Sequence, residues 1–140
     1  MKILLAVDGS TYTKKMLAYL TTHDEMFSTK NEYTLINVQS PLPPRARAAV
    51  GAEVVNAYYA DEAAKATASV IKFLQRHGIE PKLITKVGAA GEVIGKAAAA
   101  GKFDLLIMGS HGHSALGNLL MGSVATRVLA DCKVPVLLVR

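Results

Sequence analysis

The sequence has no tryptophan, three phenylalanines and one cysteine, Cys132, in 140 residues. A single thiol excludes an intramolecular disulfide and the stapled secreted scaffolds built on them, so a reducing, cytoplasmic setting is expected. So few aromatic rings leave little on which nucleic-acid bases could stack. No apolar run reaches the ~20 residues of a membrane span, and "MKILLAVD" at the N-terminus is too brief for a signal peptide. Acidic residues are in deficit, 11 against 16 lysines and arginines, and the resulting charge of +5 favours anionic ligands. The cations are scattered, however, and no block of like charge suggests a nucleic-acid tail. What remains is 51% hydrophobic and 19% charged, the composition of a folded chain. One domain over residues 1–140 is expected, since such a length buries about two-thirds of its unfolded surface.

Five short apolar runs have strand length and end near turn residues: Lys2 to Val7, Tyr33 to Val38, Lys82 to Val87, Asp104 to Gly109 and Val134 to Val139. The first, fourth and fifth are almost continuously apolar, as in strands covered on both faces. Helical patterns separate them. Ser10 is a candidate N-cap, followed by Tyr12, Met16 and Leu20. A long helix is expected from about Ala52 to His77, with Ala63, Ala66, Val70 and Leu74 on one face and Gly78 as its stop. Ile94, Ala97 and Ala98 mark a third helix ended by Gly101. Val124, Ala125, Val128 and Leu129 mark a fourth, with Cys132 near its end as a small buried side chain. "SPLPPRARAAVG" (Ser40 to Gly51) carries three prolines and is expected to be a loop. Strands alternating with helices imply an α/β fold, a doubly wound parallel sheet with helices on both faces.

Ligands of such sheets bind at the carboxyl ends of the strands, where the strand order reverses. If the first and fourth strands are neighbours, Asp8, Val38 and Gly109 surround one cleft. The segment "MGSHGHSALGNLLMGSV" (Met108 to Val124) follows the fourth strand. Its glycines let the backbone approach a ligand closely. Gly122 and Ser123 open the last helix, whose free N–H groups favour an anion. "GNLLMGS" lacks the lysine of a Walker A loop, and G-x-G-x-x-G does not occur.

Gly109-x2-Gly112-x9-Gly122-Ser123 has the form G-x2-G-x9-G-[ST], which resembles the nucleotide-binding signature of the universal stress proteins. "ILLAVDGS", "DLLIMGSHGHS" and "GSVATRVLADCKVPVLLVR" resemble that family's opening, fourth strand and closing elements, so the likeness covers the whole chain. It implies a five-stranded parallel sheet in the order 3-2-1-4-5, usually dimeric, and membership of the ATP-binding branch. The resemblance implies that Asp8 contacts the adenine, and that Val38 does so through its backbone. Met108 and Gly109 would border the ribose. Gly112, Gly122, Ser123 and Val124 would meet the phosphates. Ala6 stands at the cleft where some members have proline. The implied ligand is ATP, ADP or AMP, with magnesium as a candidate companion that the Ser123 hydroxyl could reach.

His111 and His113 lack a supporting carboxylate, cysteine or third histidine nearby, so no metal site is expected. They belong at the cleft mouth, with His113 a candidate phosphate donor. His23 and His77 fall near helix ends, at the surface. Ser110 and Ser114 form no nucleophile elbow, because G-x-S-x-G is absent. Arg45 and Arg47 could cover a triphosphate or be a solvated pair, and Arg127 sits too far into its helix for a phosphate. The last strand, Val134 to Val139, would leave an apolar edge that Pro135 protects only at its start. A second subunit pairing there is the simplest cover. No catalytic residues are legible, so any ATP hydrolysis would be weak. The expected function is a nucleotide-dependent, homodimeric regulatory module of the stress response, acting on a partner the sequence does not identify. A slow ATPase or phosphotransferase using the same cleft, and a chaperone-like protein binding no nucleotide, stay open as alternatives.

Overall fold

Ile3, Leu4 and Leu5 are wholly buried, so the first strand has no solvent face and must be sandwiched. The computed structural model describes residues 1–113 and 118–140 and shows how. The order is β1 (Lys2–Ala6), α1 (Thr11–Thr22), β2 (Glu32–Gln39), α2 (Pro44–Val50), α3 (Ala52–Arg76) and β3 (Lys82–Val87). Then come α4 (Ala90–Ala100), β4 (Leu105–Gly109), α5 (Ser123–Asp131) and β5 (Val136–Val139). The strands form one parallel sheet in the order β3-β2-β1-β4-β5. Alternation along β1 divides the core. Ile3 and Leu5 pack with Met16, Leu17 and Leu20 of α1 and Val70 and Leu74 of α3. Leu4 and Ala6 pack with Ile94 and Ala98 of α4 and Ala125 and Val128 of α5. Among the described residues no helix is long and apolar enough to cross a membrane.

Three expectations need correction. The stretch from Ser40 to Gly51 is not all loop, because Pro44–Val50 is helical with Pro44 in its first turn. Proline lacks only an N–H that has no helical partner at that position, and its fixed φ suits the helix. Leu129 does not belong to the buried face of α5, since it is 44% exposed while Ala125 and Val128 are buried. Ser10 holds the N-cap position of α1 with extended backbone, but its side chain makes no capping bond. Its Oγ is buried and, among the described residues, has no hydrogen-bond partner. Replacing an N-cap serine normally costs about 1 kcal/mol. Here Ser10→Ala removes an unpaired hydroxyl from the interior, so stability is expected to hold or rise. Urea unfolding of the variant checks this, and a loss of ~1 kcal/mol or more would show a working cap.

α3 runs 25 residues, about 37 Å, against strands of four to eight. A Cβ at Gly9 would lie 3.2 Å from the Ala66 Cα, so α3 passes the carboxyl edge of the sheet at Ala66. Its first half therefore projects beyond that edge. Leu42 N–H donates to the Tyr59 hydroxyl at 2.8 Å, which ties the chain leaving β2 to this projection. His23 and His77 cap α1 and α3 at their C-terminal ends. Each places Nδ1 2.8 Å from the carbonyl four residues earlier, on Tyr19 and Phe73 respectively.

Candidate functional site

β1 ends at Ala6 while β2 runs on to Gln39 and β4 to Gly109, and the gap it leaves is the floor of a cavity of about 330 Å³. Ala6, Asp8, Val38, Met108, Gly109, Gly112, His113, Gly122, Ser123 and Val124 all line it. The chain thus brings these ten residues to one place, at the switch point between β1 and β4.

Asp8 divides its carboxylate between two tasks. Oδ1 accepts from the Ser10 N–H at 2.9 Å and from the Thr13 hydroxyl at 3.0 Å. The Thr13 Oγ1 in turn accepts from the Asp8 N–H at 3.2 Å. This closed ring fixes the turn into α1. Oδ2 points the other way, across the cleft, where a Cβ on Gly112 would lie 2.7 Å from it. Turn residue and ligand acceptor are therefore not rival roles for Asp8, since each oxygen can serve one.

The strand ends present a second recognition surface. Ile36 O accepts from Val7 N–H, toward β1, while Gln39 O accepts from Gly88 N–H, toward β3. Alternate residues of a parallel strand address the same neighbour, so Val38 directs its N–H and C=O to the β1 side. β1 has already ended there. Asn37, buried at 2% exposure, donates from Nδ2 to Val7 O and so satisfies the end of β1.

The glycine segment is tied at three points. Gly122 N–H donates to Ser110 O at 2.7 Å. His111 Nε2 donates to Leu119 O at 2.7 Å, and its Nδ1 lies 2.8 Å from the Ser110 hydroxyl. His113 Nε2 donates to Asp8 O at 2.7 Å and joins this segment to the β1–α1 turn. The glycines allow close approach. A Cβ on Gly109 would come within 2.6 Å of the Tyr12 Cβ, and one on Gly122 within 3.1 Å of the His111 Cα. Beyond Gly122, α5 begins with no side-chain cap. The free N–H groups of its first turn face the cleft, a neutral site for an anion. The neighbouring α4 is likewise uncapped, and its Ala90 lines the same cavity.

Other expectations sort simply. Neither Arg45 nor Arg47 lines the cleft. Arg47 instead borders a shallow hollow with Pro41, Asn56, Tyr59 and Val87. Arg127 turns away to Asp131, 2.8 Å from its Oδ2. Cys132 ends α5 half-buried rather than buried, its thiol directed to Val134 O. Ser110 is buried on the His111 ring. Ser114 lies outside the described residues. Among those described, no group of three His, Cys, Asp or Glu could hold a metal ion. Two contributors, Thr13 and Asn37, escaped the sequence reading; Thr13 lines the cavity, as does Ser40 just after β2. Asn37 alone carried a signal, as a polar side chain inside an apolar strand.

Comparison with known proteins follows the same lines. The model of the universal stress protein family matches residues 1–140. A universal stress protein from Thermus aquaticus, encoded 3′ of a QAH/OAS sulfhydrylase, is 31% identical over 143 residues, 99% of this chain and 97% of that protein. Universal stress protein Slr1230 of Synechocystis is 30% identical over 139 residues, 99% of this chain. The chain spans only 42% of that relative's length. The solved structure of MJ0577, a protein of Methanocaldococcus jannaschii, superposes with a TM-score of 0.78 at 31% identity, covering 99% of this chain and 94% of the other. Two more distant structures share the fold. A universal stress protein in complex with cAMP has a TM-score of 0.67 at 20% identity, over 100% of this chain and 97% of its own. A family protein from Arabidopsis thaliana with AMP bound has 0.68 at 14%, over 99% and 91%.

Proposed function

Because the chain belongs to the universal stress protein family, we propose that its cleft binds an adenine nucleotide and that occupancy, rather than turnover, is the regulatory output. The observation that carries this reading is one cavity holding three complementary surfaces. They are the free Asp8 Oδ2, the outward backbone of Val38 and the uncapped start of α5. Val38 pairs with the adenine edge through its N–H and C=O. Asp8 Oδ2 accepts from a ligand donor, the adenine amine in this assignment. Met108 and Gly109 border the ribose, and Ala6 leaves room beside it. Gly112, Ser123 and Val124 offer backbone N–H groups to phosphate, with the Ser123 hydroxyl beside them and Gly122, its own N–H held by Ser110 O, lining the same wall. Ser123 would be the hydroxyl to hold a magnesium ion, which would supply countercharge to the phosphates. His113 acts by holding the mouth to Asp8 O rather than as a first phosphate ligand. The bound cAMP and AMP of distant relatives support the ligand class.

The protein works as a homodimer in the cytoplasm in this reading. β5 is the edge of the sheet, and Val136, Leu137 and Leu138 are only half-buried. Pairing with the same strand of a second copy covers that edge. Nucleotide occupancy then biases the tied segment after β4 and its contacts with a regulatory partner.

Thermal unfolding tests the binding directly. With ligand at 100 times Kd, ATP or another adenine nucleotide is expected to stabilise the fold by about 2.7 kcal/mol. Absence of a shift with ATP, ADP, AMP and cAMP alike would remove the proposal.

A further inference from the structure

We infer that the cleft reads the nucleoside and its first phosphate but hardly counts phosphates, so that AMP binds about as tightly as uncomplexed ATP. This deepens the adenine-nucleotide reading and rests on it.

Between Leu105 and Thr126 the sequence contains no lysine, arginine, aspartate or glutamate. The described residues of this segment that line the cavity bring backbone donors, the Ser123 hydroxyl and two imidazoles to the phosphate end. Among the described residues, no lysine or arginine lines the cavity, and the one carboxylate there is Asp8. Three cations of flanking elements have other neighbours. Lys15 Nζ lies 4.6 Å from the centre of the Tyr12 ring, on α1. Arg127 lies against Asp131, and Arg47 borders the other hollow.

The charge-like attraction left to a phosphate is that of the uncapped N-termini of α5 and α4, each equivalent to about half a unit charge and effective only within the first turn. That suffices for one phosphate at the mouth of α5. A second and a third phosphate add negative charge farther out, where no lysine or arginine supplies the stronger charge-assisted bonds. Exposed groups at that distance are also screened, within about 8 Å at physiological salt. The net charge of +5 thus raises encounter with any anion without ranking them at the site. His113 marks the missing element. It lines the mouth, is exposed, and stands next to the Gly112 backbone with its Nε2 committed to Asp8 O. A permanent cation at that position would face the outer phosphates.

Calorimetric titration with adenosine, AMP, ADP and ATP in EDTA, at physiological salt and about pH 8 where histidines are neutral, tests this. AMP, ADP and ATP are expected to agree within about threefold in Kd, under 1 kcal/mol. His113→Arg and His113→Lys are each expected to raise the preference for ATP over AMP by about tenfold, the gain of one charge-assisted contact. Wild-type protein that binds uncomplexed ATP tenfold or more tightly than AMP overturns the inference, roughly a 1.4 kcal/mol preference that no residue here explains. So does an unchanged ratio in both variants. Failure of all four ligands to bind is a different pattern, and it overturns the nucleotide reading itself.

Discussion

Gly122→Val is expected to abolish the thermal stabilisation by ATP, taking a shift of about 2.7 kcal/mol at 100 times Kd close to zero. Backbone freedom is not the cause, because Gly122 has φ −72° and ψ 163°, open to any residue. The cause is proximity. A Cβ there would stand 3.1 Å from the His111 Cα and 3.2 Å from Ser110 O, both main-chain atoms that cannot swing aside. The Gly122 N–H is also the donor of the 2.7 Å bond to Ser110 O. A branched side chain forces those two strands of the loop apart and turns the first N–H groups of α5 away from the cleft. The hydrophobic cores do not involve Gly122, so the unliganded variant should keep its far-UV spectrum and most of its stability. Retained stabilisation by ATP in a folded Gly122→Val protein would mean that phosphate binds elsewhere.

Leu106→Ala is expected to be the more damaging change to the fold. Leu106 is wholly buried in β4, between β1 and β5, and packs in the core on the α4 and α5 side. Truncation removes its transfer energy and leaves a cavity that neighbouring strands cannot close, a loss of about 2–5 kcal/mol. Leu83→Ala is the informative contrast. Leu83 is 46% exposed on the edge strand β3, so it should lose only a fraction of that amount. Urea unfolding of the two variants separates a sheet covered on both faces at its centre from one that opens at β3. Equal losses would mean the packing is misassigned.

The centre of the molecule was legible because its signals are dense. β1 and β4 are continuous apolar runs, and their burial follows from the same fact that identified them. The cleft was legible because topology places strand ends together whatever the side chains are. Less of the periphery could be read. α2 was hidden by Pro44, a residue that breaks helices everywhere except where it sits here. Leu129 continued the pattern of α5 but falls outside the face formed by Ala125, Val128 and Cys132 that packs on the core. Ser10 matched the statistics of an N-cap, yet Asp8 and Thr13 organise that turn, through contacts that no spacing rule predicts. The histidines of the glycine segment were the hardest to interpret. Their bonds to Leu119 O and Asp8 O bridge eight and 105 positions, and only the fold brings those carbonyls within reach.

The bond between Gly122 and Ser110 separates two properties that usually vary together in a binding loop. Donors to a ligand lie at the two ends, and the ends hold each other. The spacing of the two ligand-facing ends is therefore set by this bond rather than by the length of the sequence that joins them. Lengthening a closed connection costs only about 0.6 kcal/mol per doubling. Insertions in the joining sequence are thus expected to leave the registration of the ends intact. In evolutionary terms, the join can diversify without retuning the grip.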